Sequence, residues 1–143
     1  MTSIADANVL FALLVGAHLH HESAREWWEK QAERCIGLHL LVRLAVLRLL
    51  SNRVAMNGAP VSPTKALKAW LLLADDPRCF TAVPAASQEA LFKLVVAERE
   101  PSPNLWTDAW LAALALSLGC EMVTFDRGFR SFKGLKLRLL TAA

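Results

Sequence analysis

The sequence predicts an α/β fold, a single three-layer α/β/α domain over residues 1–143 built on a central parallel sheet of about five strands. Three observations predict it. Short apolar runs alternate with helical patterns along the whole chain, which implies parallel strands joined by crossover helices. Two of those runs end directly in a carboxylate: Ser3-Ile4-Ala5-Asp6 and Met122-Val123-Thr124-Phe125-Asp126. That places charge at the carboxyl edge of such a sheet, where ligands bind near the reversal of strand order. Finally, 55% of the residues are hydrophobic and the mean hydropathy is +0.32. Most elements must then be buried on both faces, or an apolar surface must be covered by a partner.

The first strand spans residues 2–5, and Asp6 caps a short helix over 7–14. A second helix is expected over 20–34, with Ala24, Trp27, Trp28 and Ala32 on one face. His18, His20 and His21 at its start are expected to be loop and first-turn histidines; a metal cluster is the alternative. Cys35 to Leu38 reads as a strand, followed by a helix over 40–53 with Leu40, Leu44, Leu47 and Leu50 near one face. Asn52 and Asn57-Gly58 punctuate its end. Ser62-Pro63 opens a helix that reaches Ala74 and stops before Asp75-Asp76-Pro77. Residues 78–82 form a strand, and Ser87 caps a helix reaching Arg99. After a loop over 101–103, a helix over 105–118 ends at Gly119. The strand 121–125, a turn of helix from Asp126 and a last strand at 136–140 complete the chain.

The formal net charge is +3, from 16 Lys+Arg and 13 Asp+Glu, a mild bias towards an anionic partner. Cys35, Cys79 and Cys120 show no C-x-x-C spacing and are expected as buried free thiols in a reducing cytosol. No apolar run reaches the ~18 residues of a membrane helix, and Asp6 stands where a signal sequence would be basic, so a cytoplasmic protein is expected. No glycine-rich phosphate loop, zinc-ligand set or Ser-His-Asp order occurs. The tryptophans Trp27, Trp28, Trp70, Trp106 and Trp110 are expected in core or interface packing rather than base stacking.

A helix that follows a strand in this fold starts at the carboxyl edge. Asp108, in the first turn of helix 105–118, therefore joins Asp6 and Asp126 there, and Arg43 lies at the same edge. Each acid has an ordinary explanation, as a cap, a turn residue or a partner of the helix dipole. Three acids converging from distant parts of the chain favour a site for a hard divalent cation, Mg²⁺ or Mn²⁺, and hence a phosphate substrate. Thr124 and Asn104 are candidate supporting donors.

These residues also carry a family resemblance. Ile4-Ala5-Asp6-Ala7-Asn8 is similar to the opening of the PIN domain. His21-Glu22-Ser23-Ala24 with Trp27-Trp28 resembles the second helix of its bacterial toxin branch. Thr107-Asp108-Ala109-Trp110-Leu111 and Val123-Thr124-Phe125-Asp126-Arg127-Gly128-Phe129 resemble its two C-terminal motifs. The resemblance implies a VapC-like ribonuclease toxin: a Mg²⁺-dependent endonuclease cutting structured RNA, held silent by a cognate antitoxin and usually homodimeric. It implies Asp6, Asp108 and Asp126 as catalytic, metal-holding residues.

One departure stands out. Where the family commonly has a glutamate early in the third helix, this chain has Arg43. A guanidinium cannot ligate a metal. Arg43 is expected either to contact one of the three aspartates or to grip an RNA phosphate. The alternative function that follows is a catalytically impaired RNA- or protein-binding module. The apolar runs Ala69-Trp70-Leu71-Leu72-Leu73 and Val9-Leu10-Phe11-Ala12-Leu13-Leu14 are expected to serve dimer and antitoxin contacts.

Overall fold

The structure, a computed structural model, describes residues 1–142. Five short strands form one sheet: β1 (Ser3–Ala5), β2 (Ile36–Leu38), β3 (Cys79–Thr81), β4 (Glu121–Thr124) and β5 (Leu137–Leu139). Their spatial order is β3-β2-β1-β4-β5, and every pairing is parallel. Six helices cover the sheet: α1 (Ala7–Leu14), α2 (His21–Glu29), α3 (Leu40–Leu50), α4 (Pro63–Ala74), α5 (Gln88–Val96) and α6 (Leu105–Leu118). A 3-10 turn, Arg127–Ser131, joins β4 to β5. The three-layer parallel fold expected from the sequence is the one observed.

The topology fixes the useful edge. From β1 the chain moves outward to β2 and β3, then crosses back to β4 on the other side of β1. Right-handed crossovers put α1 to α4 on one face and α5 with α6 on the other. Strand order therefore reverses between β1 and β4, and the carboxyl ends of these two strands are where a sheet of this kind places its ligand crevice.

The core explains the tight sheet. Ile4, Ile36, Met122 and Val123 of the strands are fully buried, as are Val9 and Leu10 of α1 and Leu114 of α6. Burying a side chain such as Leu114 contributes roughly 1.5–3 kcal/mol. Gly37 sits where a Cβ would fall 2.7 Å from Ile4 Cδ1 and 2.9 Å from Phe80 Cζ, so a side chain at the centre of β2 would force these packed side chains to shift. Helix α6 is buried almost all round, with Ala109, Ala112, Ala113 and Ala115 letting it lie close to its neighbours. Gly119 ends it in the left-handed conformation at φ 65°, as its cap position requires.

Several boundaries are shorter than the sequence implies. Helix α2 stops at Glu29 rather than 34, because Gln31 Nε2 takes the Trp27 carbonyl (2.8 Å) and Arg34 turns left-handed at φ 55°. Ala32 thus lies outside the helix. Helix α3 stops at Leu50, where the Ser51 hydroxyl bonds the Leu47 carbonyl (2.9 Å) and Asn52 accepts from Ala55 N (2.9 Å). Its inward face is Val42, Val46 and Leu50; Leu40 and Leu44 are exposed. An all-apolar helix carries two competing faces, and the β-branched one was taken by the core. Ser62 caps α4 through Lys65 N at 3.3 Å, whereas Ser87 makes no side-chain cap and α5 ends at Val96. Cys120 is buried, while Cys35 and Cys79 are only half-buried, and all three are free. Burial still pushes the Cys79 thiol up to about 12, with Asp76 adding to the rise, so it stays protonated.

Candidate active site

The crevice between β1 and β4 is organised by Thr124, which is fully buried. Its hydroxyl donates to Asp6 Oδ2 at 2.7 Å and accepts from Asn8 Nδ2 (3.1 Å) and Asp126 N (3.0 Å). Asn8 Oδ1 in turn accepts from Phe125 N at 3.2 Å. A side chain in the first turn of α1 thereby ties the carboxyl end of β4 to that of β1. The other Asp6 oxygen, Oδ1, accepts from Ala7 N at 2.7 Å as an N-cap. Asp126 Oδ1 accepts from Gly128 N at 2.8 Å and starts the 3-10 turn. Thr124, a candidate supporting donor, thus bonds Asp6 directly. Asn8 does equal work and was not singled out in the sequence beyond the opening motif.

Asp108 reaches the same crevice from the first turn of α6 on the opposite layer. Its carboxylate makes no hydrogen bond or ion pair among the described residues. Burial raises its pKa to about 6, and the charges of Asp6 and Asp126 push in the same direction. Burial likewise raises Asp6, against the Thr124 hydroxyl and the Ala7 amide, with the Asp126 charge adding to the rise. Asp108 thus feels the charges of Asp6 and Asp126, and Asp6 that of Asp126.

No basic residue relieves them. The ion pairs among the described residues are Arg25 with Glu22 and Glu29, Arg78 with Asp76, and Arg138 with Glu121. The contact expected between Arg43 and an aspartate is therefore absent. Arg43 shares its side of α3 with Leu40 and lines a cavity of about 630 Å³ with Arg34, His39 and Trp70, between α3, α4 and β3. The helix start is at the expected edge, but its rotation turns residue 43 away from β4. Asn104 is the N-cap of α6, and its side chain makes no cap bond and no bond to the aspartates.

The donor set is all oxygen and carries negative charge, which suits a hard cation. Among the described residues no three His, Cys, Asp or Glu side chains are close enough together to hold an ion as they are arranged. The histidines gather no metal site either. His18 Nδ1 accepts from His20 N (3.0 Å), His21 Nδ1 pairs with the Ala12 carbonyl (2.8 Å), and His20 stacks on Phe125 at 4.6 Å. Trp110 and Trp70 pack as expected, and Trp110 Nε1 donates to His39 at 3.2 Å; Trp106 is 60% exposed.

Comparison with known proteins bears on the family and the fold. Residues 4–135 match the PIN domain. Ribonuclease VapC41 of Mycobacterium tuberculosis is 34% identical over 142 residues, covering 96% of this chain and 97% of its own. Ribonuclease VapC31 of the same organism is 29% identical over 135 residues, covering 93% and 94%. Among solved structures, VapBC2 from Rickettsia felis bound to a DNA fragment from their promoter aligns with a TM-score of 0.70 at 12% identity, over 99% of this chain and 100% of that one. Mycobacterium tuberculosis VapC20, a Sarcin-Ricin loop cleaving toxin, aligns with a TM-score of 0.65 at 18% identity, over 96% and 99%. At such identities the solved structures speak for the fold alone. The chain belongs to the PIN-domain family and, within it, to the VapC ribonucleases.

Proposed function

We propose that the protein is a divalent-metal-dependent endoribonuclease that cleaves structured RNA and is silenced by a cognate antitoxin. The observation that carries this reading is the crevice of three carboxylates, Asp6, Asp108 and Asp126, with no basic partner and with Asp108 raised to about 6. Such a set costs folding energy when charged, and a bound Mg²⁺ or Mn²⁺ removes that cost. The ion, when bound, supplies an activated water and neutralises charge on the scissile phosphate.

In this reading the chain's own residues do three things. Asp6, Asp108 and Asp126 hold the cation, directly or through waters. Thr124 and Asn8 lock Asp6 and the strand end against rotation, so the geometry is set before substrate arrives. The crevice lies open at the sheet edge, where a folded RNA can approach. Asn104, exposed beside Asp108, is available to such a substrate rather than to the aspartates.

The position of Arg43 supports the enzyme over an impaired RNA- or protein-binding module. A guanidinium inside the crevice would compete with the ion; here it lines the neighbouring groove with Arg34. The assay is cleavage of a structured RNA with Mg²⁺, with EDTA, and with Asp126→Asn. Cleavage that both treatments abolish is expected; cleavage that survives both would overturn the reading, and RNA binding without cleavage would favour the module.

Antitoxin and self-association have their own support. Leu40, Leu44, Leu67, Leu71 and Leu72 are exposed on α3 and α4, as is Leu94 on α5. Apolar surface of that extent is what a homodimer and an antitoxin would cover. The earlier run Val9 to Ala12 does not contribute, because those residues are buried within the monomer. Sedimentation should show a dimer at micromolar concentration. The reducing cytoplasm is the proposed place of action, where the three free thiols persist.

A further inference from the structure

The 3-10 turn after β4 sorts its residues onto three edges, because side chains three apart eclipse one another in this helix. Phe129 and Phe132 point into the core, at 1% and 7% exposure. Arg127 and Arg130 face solvent. Gly128 and Ser131 occupy the third edge, and that edge is held from outside. Arg99, 32 residues earlier in the loop between α5 and α6, donates from Nη1 to the Ser131 carbonyl (3.0 Å) and from Nη2 to the Ser131 hydroxyl (2.6 Å). Its guanidinium also lies over the Phe132 ring, 4.4 Å from the centroid. The Ser131 hydroxyl donates to the Gly128 carbonyl at 2.9 Å, and the Gly128 amide donates to Asp126 Oδ1.

The loop is shaped for this reach. Ala97 leaves the helix in an extended conformation, and Glu98 adopts φ 59°, a cost that a non-glycine residue carries only where surrounding structure demands it. The reversal brings Arg99 back over the turn. Between loop and turn lies a cavity of about 450 Å³ bordered by Arg99, Ser102, Leu105, Asp108, Gly128 and Phe132. Arg99 therefore spans the two walls that carry Asp108 and Asp126.

We propose that Arg99 is a positioning residue of the active site: by clamping Ser131 it fixes the turn whose Gly128 amide orients the Asp126 carboxylate. The metal part of this claim rests on the function proposed above; the clamp itself does not. Partners that orient a metal ligand are worth about 10–100-fold in metal affinity or activity. Arg99→Ala should weaken Mn²⁺ binding about tenfold, read by titration of the free ion's EPR signal. It should speed hydrogen exchange at the Gly128 amide about fivefold, read by NMR, and lower kcat for RNA with KM little changed. Arg99→Lys keeps the charge but loses the planar two-pronged grip, so it should remain deficient in both readouts. Ser131→Ala should reproduce the exchange effect, and adding it to Arg99→Ala should do little more.

Unchanged Gly128 exchange and Mn²⁺ affinity in a folded Arg99→Ala protein would overturn the proposal, as would full recovery of both in Arg99→Lys. If Arg99→Ala does not fold, Ser131→Ala decides by the same two readouts. Failure of the wild type to bind Mn²⁺ would overturn the metal reading of the site, while the Gly128 exchange comparison would still decide the clamp.

Discussion

Two crevices open along the same sheet and carry opposite charge. The one at β1 and β4 holds Asp6, Asp108 and Asp126, with no ion pair to a basic side chain among the described residues and with Arg99 bordering it beside Asp108. The one beside β2 and β3 holds Arg34 and Arg43, with Trp70 and Leu71 on its wall and no acid. The first lies where the strands deliver their carboxyl ends; the second runs between α3, α4 and β3 from Arg34 and Cys79 to His39 and Thr81. What differs is which side chains the flanking helices turn inward. The topology supplies the crevice, and helix rotation decides its chemistry. Arg43 stands one helix turn inside α3 yet belongs to the cationic groove.

The largest effect expected from breaking this contrast is at Asp126. Asp126→Asn should reduce metal-dependent cleavage by more than about a hundredfold, beyond what loss of a supporting partner costs, with an unchanged circular dichroism spectrum. Next comes Thr124→Val, which keeps shape but removes the hydroxyl shared by Asp6, Asn8 and Asp126. Leaving those polar groups unmet should cost about 1–3 kcal/mol of stability in denaturant titration. Mg²⁺ affinity should fall about tenfold in the same variant.

Asp108 sharpens the contrast through pH. Its folded pKa, about 6, lies above the ordinary 3.8, so the native state holds the proton more tightly than the unfolded chain does. Metal-free stability should therefore fall as pH rises between those two values and stay low above them. Asp108→Asn should be more stable than wild type at pH 7 by about 1 kcal/mol, less than the shift alone converts to, because solvent screens a half-exposed group. The gain should vanish near pH 4, which thermal melts at the two pH values would show. The smallest effect belongs to Arg43→Glu. Across the distance between the grooves, screening should hold the change in Mg²⁺ affinity below about threefold. A larger increase would bring Arg43 into the acidic site after all.

Much of the site was legible in the chain because it depends on sequence-local geometry. Asp6 and Asp126 directly follow short apolar strands, and Asp108 opens a helix whose direction is dictated by the parallel sheet. Thr124, the last residue of β4, precedes Asp126 by two. What the sequence could not convey lies in contacts between distant segments. Asn8 and Phe125 are 117 apart, and Arg99 and Ser131 are 32 apart. The rotation of α3 was hidden for another reason: with apolar residues on nearly every side, its periodicity does not choose between the Leu40–Leu44 face and the Val42–Val46 face. Asp6 to Asn8, a capping acid with an amide two residues on, was the available signal for Asn8.

On the proposed function, the acidic crevice takes a divalent cation. Calorimetric titration of the metal-free protein with Mg²⁺ at pH 7.5 and pH 5.5 tests it most directly. One saturable site is expected, with protons released on binding at the lower pH and weaker affinity there, because Asp108 must give up its proton. In Asp108→Asn the pH dependence should largely disappear, and in Asp126→Asn binding should be lost. Absence of saturable binding at pH 7.5, or equal affinity in wild type and Asp126→Asn, would contradict the claim.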